Sequence, residues 1–388
     1  MSPSTPNIYL AQDFQGWQPV VNHLHWDGSL PPKVLFDFYQ SRGQILKLPD
    51  KDILGKLIRY ANPAQQLISS TEKLAEFQEG LLSKWSIIDV FKLPIGAMRI
   101  DHDLISMAVA HCHYLKEQGI IYSETRFAPS YHINPRGNLN SLDEVVKTAL
   151  AGFRIGYSQT GVKVNPIICI PRENDREFLN GNPRYPVNSI DIVKTAINHC
   201  EEKTIKVIGI DLVCYEPCAP AQDYLSAFRL TFDTPLKRTI HVGEMIGSDQ
   251  ANLRNIRYVL KHFRPHGLGH ALPLHQDQRL VEIVASQQIR IESNPRSNLH
   301  CGFIKDVTEL GLNTLIEAGV KVTINPDDPF MWPQGHLADN LALVANAYSL
   351  ETVKQTIVNS IETAWGLSQD EKIKLLQQTA LAWVNEKR

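Results

Sequence analysis

The feature that most constrains this chain is an alternation. Eight short apolar segments are separated by longer stretches in which apolar residues recur at helical period. The segments are 19–25 (PVVNHLH), 120–129 (IIYSETRFAP), 163–170 (KVNPIICI), 205–213 (IKVIGIDLV), 237–244 (KRTIHVGE), 264–272 (RPHGLGHAL), 288–295 (QIRIESNP) and 321–329 (KVTINPDDP). Strands that alternate with helices pair in parallel through right-handed crossovers. Eight such units favour a closed α/β barrel, a (β/α)8 barrel of TIM type, over an open doubly wound sheet, although the pattern alone leaves the open sheet in play. One helix start is well marked: in SLDEVVKTALAGFRIGYSQ, Ser141 is placed to cap and Glu144 follows three positions on.

One connection breaks the rhythm. Residues from about 26 to about 118 form a helical insertion after the first strand, on the face where barrel active sites form, so it is either a lid or a simple enlargement. Residues from about 330 to 388 read as extra C-terminal helices, and the whole of 1–388 as a single barrel domain. The formal net charge of -2, without a basic run, argues against a nucleic-acid or membrane partner. No apolar stretch approaches the roughly 18 residues of a span. The N-terminus MSPSTPNIYLAQDFQGW has neither the basic start nor the apolar core of an export signal. Six cysteines form no disulfide pattern, and CYEPC has the wrong spacing for a zinc knuckle. These features predict a cytoplasmic chain with reduced thiols. The oligomeric state is not legible.

Metal-competent residues gather at the carboxyl ends of the expected strands. His23 and His25 end the first, His241 ends the fifth with Glu244 just beyond, His270 ends the sixth, and Asp327 and Asp328 end the eighth. In an extended segment His23, His25 and Asp27 share a face. An isolated H-x-H is more often a pair of buried polar residues than a metal site. A barrel, however, brings all these strand ends to one mouth, which lifts the metal reading above the bland one. His111 and His113 have the same spacing but fall on a helical pattern, where i and i+2 do not face each other, and are set aside.

The motifs HLHWDGSL, YSETRFAPS, HVGE, GLGH, NPRSN and NPDDP, in this order from about residue 20 to about residue 330, resemble the adenosine deaminase family. The resemblance implies a metal-dependent hydrolase barrel that removes the 6-amino group of a purine nucleoside as ammonia. It implies one Zn2+ per chain on His23, His25, His241 and Asp327, with Glu244 as proton donor and His270 beside the attacking water. It further implies that Asp328 holds the purine and that Asp27 belongs to the sugar end of the pocket.

The chemistry asks for such groups on its own account. Water attacks an amino-bearing aromatic carbon poorly, and zinc lowers the pKa of bound water to about 7. A proton donor at ring nitrogen must stay protonated near neutral pH, which a water-poor pocket achieves. Two-metal barrels of the wider superfamily that this one resembles often carry a bridging lysine on the fourth strand. No lysine lies between Gly209 and Cys218, which favours one metal, and the other zinc deaminase signature, H-x-E with P-C-x-x-C, is absent.

The chain departs from its resemblance at substrate-contacting positions: Cys214 and Ala271 stand where relatives usually have glycine, Pro326 where they have a small or hydroxyl residue, and Asn294 where many have cysteine. The resemblance makes adenosine the expected substrate, and these departures support the reaction type more firmly than that substrate. Adenine, an N6-methylated nucleotide or a larger adenosine derivative is the alternative, and an inactive barrel with a binding or signalling role stands third.

Overall fold

The computed structural model describes residues 8–41, 50–51, 57–59, 91–173, 187–244 and 247–385. Its centre is an eight-stranded sheet, every registered pair of which is parallel. The strands are β1 (Val20–His25), β2 (Tyr122–Phe127), β3 (Lys163–Pro171), β4 (Gly209–Val213), β5 (Lys237–Val242), β6 (Gly267–His270), β7 (Arg290–Ser293) and β8 (Lys321–Ile324). They lie in chain order, as successive βα units require. Every expected segment corresponds to one of them, trimmed at one or both ends except the third, which runs one residue further, to Pro171.

The last seam closes differently. Leu24 pairs with Asp327 as a single parallel bridge, and the His25 N–H donates to the Asp327 carbonyl at 2.8 Å. Just below, the side-chain oxygen of Asn325 accepts from the N–H groups of Asn22 and His23, both at 3.1 Å. The seam therefore joins His23 and His25 to the segment that carries Asp327.

Of the expected insertion, the described parts are α1 (Pro32–Ser41), a short antiparallel pair (Asp50–Lys51 with Leu57–Arg59), α2 (Lys92–Gly96) and α3 (Asp101–Glu117). The remainder of that insertion lies outside the described residues. Helix α4 (Leu142–Thr160) starts as its sequence predicts, with the Ser141 hydroxyl accepting from the Glu144 N–H, and stops at Gly161, left-handed at φ 77. The later helices are α5 (Ser189–Asn198), α6 (Leu225–Arg229), α7 (Asp249–His262), α8 (Gln278–Ser286), α9 (Pro295–His300) and α10 (Leu312–Glu317). After β8 come α11 (Leu337–Ala347), α12 (Leu350–Glu362) and α13 (Gln369–Asn385). Helix α12 covers the seam: Asn359 donates to the Val322 carbonyl at 2.9 Å, and Asn22 donates to the Ser360 carbonyl at 3.1 Å. No described helix is long and apolar enough to cross a membrane. All six cysteines are free.

The barrel interior contains a charged layer that periodicity could not reveal. Arg126 donates to Asp211 at 2.7 Å, to Glu292, and to the Asn22 carbonyl at 2.7 Å. Arg290 pairs with Glu124 at 2.7 Å and with Glu292 at 2.6 Å. All five side chains are buried. His111 is buried too, 2.9 Å from the Ser29 hydroxyl and 3.1 Å from that of Thr125, which leaves it a packing role under β2.

Candidate active site

The strand ends bring His23, His25, His241 and Asp327 together. His23 Nε2 is 3.2 Å from Asp327 Oδ1, His25 Nε2 is 3.4 Å from the same oxygen, and His25 Nε2 is 3.2 Å from His241 Nε2. A looser grouping, within 4.8 Å, takes in His23, His241, His270 and Asp327, and a second takes in His25, Asp327 and Asp328. The three short distances link His23, His25, His241 and Asp327, the set that the resemblance implies.

This set has too few hydrogens to hold itself together. Glu292 stays ionised: burial pushes it up, but Arg126 and Arg290 hold it well below the usual carboxylate range. It can only accept, so His23 Nδ1, 3.1 Å away, carries the ring hydrogen. Asp211 behaves alike. Burial opposes its ionisation, yet His241 and Arg126 keep its pKa low, and His241 Nδ1 lies 3.1 Å from it. In the tautomer that these contacts select, Nε2 of each ring is a bare lone pair. His23 Nε2 is buried with no aligned hydrogen-bond partner, despite its short distance to Asp327. Burial holds His25 well below its ordinary pKa, so that neutral ring brings at most one hydrogen. Four acceptors sharing at most one hydrogen fit a cation. Their 3.2–3.4 Å spacings match the roughly 3.3 Å between nitrogens placed about 2.0–2.1 Å from a tetrahedral zinc. The residues present fit the metal.

Glu244 lies beside this cluster, buried, with Oε1 3.3 Å from His270 Nδ1. Burial, then the charges of Asp327 and Glu216, push its carboxyl well above the usual range, with Arg172 opposing. Its surroundings therefore favour the protonated carboxyl. His270 is kept neutral, down to about 3, mainly by burial. Its Nδ1 is 2.9 Å from the Asn298 amide, and its Nε2 is 3.3 Å from that of Asn294, the residue that replaces the usual cysteine. Asp328 is pushed well above the usual range by burial and by Asp327, Asp27 and Glu244. A neutral carboxyl is a donor as well as an acceptor. Gly28 allows this packing, since a Cβ there would lie 1.9 Å from Asp328 Oδ1.

Asp27 lies next to Gly28, close enough to Asp328 to help raise that carboxyl's pKa. Its Oδ1 has no hydrogen-bond partner and lies 3.6 Å from His132 Nε2, which has none either. Cys214 follows β4 at φ 73, the left-handed region that glycine favours, and the Tyr131 hydroxyl is 3.4 Å from its sulfur. Sequence reasoning missed Asp211, Glu292 and Arg126. No spacing marks them: Asp211 lies between Ile210 and Leu212, while Arg126 and Glu292 fall in short strands that mix polar and apolar residues. The one signal was a charged residue inside a strand segment.

The eight parallel strands in chain order make a (β/α)8 barrel, and their carboxyl ends converge on a histidine–carboxylate cluster with a buried glutamic acid beside it. Solved structures with the same fold include an amidohydrolase from Burkholderia ambifaria with bound zinc, at 16% identity and TM-score 0.74, covering 98% of this chain and 94% of that one. Another is the adenine deaminase of Arthrobacter aurescens, at 19% identity and TM-score 0.73, covering 95% and 99%. The adenosine deaminase of Clostridium acetobutylicum is 26% identical over 358 residues, covering 92% of this chain and 95% of that protein. Residues 19–381 match the adenosine deaminase family model, and the chain belongs to that family. It is a hydrolytic deaminase acting on a carbon–nitrogen bond.

Proposed function

We propose that the protein converts adenosine to its 6-oxo product and ammonia, with one zinc per chain held by His23, His25, His241 and Asp327. The observation that carries this reading is Glu244, a buried carboxyl 3.3 Å from His270 and beside a donor-poor cluster, where burial and neighbouring acids raise its pKa. Zinc bound there supplies Lewis-acid activation of the attacking water. The chain's own groups do the rest. Glu244 gives its proton to the ring nitrogen next to the carbon under attack, so the negative charge displaced from the ring is neutralised as it forms. His270, neutral and fixed by two amides, orients the water and accepts its hydrogen. Asp328, whose pKa is raised first by burial, donates to a second ring nitrogen from its protonated form. Asp27 Oδ1 accepts from a sugar hydroxyl, which gives that unpaired oxygen a partner.

A second reading keeps the reaction and changes the 6-aminopurine to adenine, an N6-methylated nucleotide or a larger adenosine derivative. Cys214 favours it, because a side chain at a left-handed position alters how closely the backbone approaches the base. The test is ammonia release by zinc-loaded protein from adenosine, adenine, N6-methyl-AMP and a 5'-extended adenosine, with metal content measured in parallel. The proposal expects adenosine to be turned over fastest and close to one zinc per chain, with most of it lost in Asp327→Ala. Faster turnover of adenine than adenosine overturns the nucleoside assignment. Two metals per chain overturns the site.

A further inference from the structure

Glu216 lies three residues beyond β4 and is buried, only 4% exposed. Its Oε2 accepts from the backbone N–H groups of Gly243 at 3.0 Å and Glu244 at 3.2 Å, and its Oε1 accepts from the Asn255 amide of α7 at 3.0 Å. Gly243 is at φ 72, and a Cβ there would meet Ile256 Cδ1 at 2.8 Å, so the turn that presents two successive N–H groups to one anion needs a glycine. A buried carboxylate is thus committed with both oxygens to the turn that leads into Glu244.

We propose that Glu216 is the positioning residue of Glu244: it fixes the turn that aims the Glu244 carboxyl and places an acidic side chain behind it. The charges acting on Glu244 agree with this placement. Asp327, Glu216 and Asp211 favour the protonated carboxyl, Arg172 opposes, and burial acts in the same sense as the three acids. His270 faces it at 3.3 Å, while Asp328 and Cys301 also sense its charge. A neutral amide in its place could accept through one oxygen only, so it would hold the turn less well and would not repel a proton-free Glu244.

The proposal rests on Glu244 being the proton donor of the deamination, so the test reads Glu244 in two ways. In the zinc-loaded full chain, Glu216→Gln keeps the shape and loses the charge. Its kcat is expected to fall about 10- to 100-fold, as misplacement of a catalytic group does. The alkaline limb of its pH–rate profile is expected to move to lower pH. Infrared difference spectra give the second reading: the protonated-carboxyl band that disappears in Glu244→Gln should titrate at lower pH in Glu216→Gln. Glu216→Asp, which keeps the charge, should restore the limb while kcat stays below wild type. An unmoved band and limb in Glu216→Gln overturn the proposal, even if thermal stability falls. If no 6-aminopurine releases ammonia, the deamination reading fails, while the band still decides the role of Glu216. If Glu216→Gln does not fold, normal kcat in Glu216→Asp overturns the positioning role, and a lowered kcat with the limb retained supports it.

Discussion

Eight non-glycine residues among those described have positive φ, and four of them, Cys214, His270, Ala271 and Asp327, line the mouth of the barrel. A left-handed residue with a Cβ costs about 1–2 kcal/mol, so the cost is concentrated where side chains must be aimed. Relatives that this sequence resembles carry glycine at two of these positions, and the backbone angle gives the reason. Cys214→Gly removes a Cβ from such a site and lets a ring nitrogen approach the backbone. Its kcat/KM for adenosine is expected to rise, and a value no higher than wild type, measured by ammonia release, shows that the cysteine side chain does not obstruct the base. The Glu244→Gln variant keeps shape and hydrogen bonding but has no proton to give. Zinc content should be retained and turnover should drop on the order of 10²–10⁴-fold. The pH dependence follows from the direction of its shift. Glu244 acts protonated and its pKa is raised, so activity is present below that pKa and lost as pH rises through it. The residual activity of Glu244→Gln should lack this alkaline limb; an unchanged limb assigns it to another group.

Arg126 shows what elements do for one another. It lies on β2, its guanidinium holds Asp211 of β4 and Glu292 of β7, and these two carboxylates fix His241 of β5 and His23 of β1. Removing the arginine leaves two buried carboxylates short of a counter-charge, so Arg126→Gln should cost about 3–5 kcal/mol in denaturant unfolding. Because ligands lose their orientation when their partners shift, zinc affinity measured by chelator competition should fall about 10- to 100-fold. Unchanged affinity separates the charged layer from the metal set. This layer was illegible in the sequence. The strands themselves were legible, since β-branched runs bounded by Gly, Pro and Asn mark them, and so were His23, His25, His241 and Asp327, since a strand's last residues face the mouth whatever the loops do. Arg126, Asp211 and Glu292 are mid-strand, and which of two faces they occupy depends on register, which only pairing fixes. The Asn325 bridge across the seam was hidden for the same reason, because a side chain there stands in for strand pairing.

At the scale of the whole molecule, residues 23 and 327 meet 3.2 Å apart at the seam that closes the barrel. A metal held there binds the folded chain and not the unfolded one, so it stabilises by about 2.7 kcal/mol at a hundred times its dissociation constant. Chelation should therefore lower the melting temperature, and Asp327→Ala, which loses the metal, should respond little to chelator. Protons act on the same balance from the other side. His111 is buried between Ser29 and Thr125, and burial lowers its pKa from 6.5 to about 3. A folded pKa below the unfolded one means that its neutral ring stabilises the fold fully above about 6.5. That contribution is lost as pH falls towards 3, because the unfolded chain takes up a proton that the folded chain refuses. His111→Gln can keep hydrogen bonds to both hydroxyls and does not titrate. Between pH 5.5 and 4.5 its unfolding free energy should fall less steeply than wild type, by about 1.4 kcal/mol per pH unit, one proton's worth. Denaturant unfolding at the two pH values measures the difference, in which all other titrating groups cancel. Parallel slopes for the two proteins would mean that the folded chain protonates His111 as readily as the unfolded one.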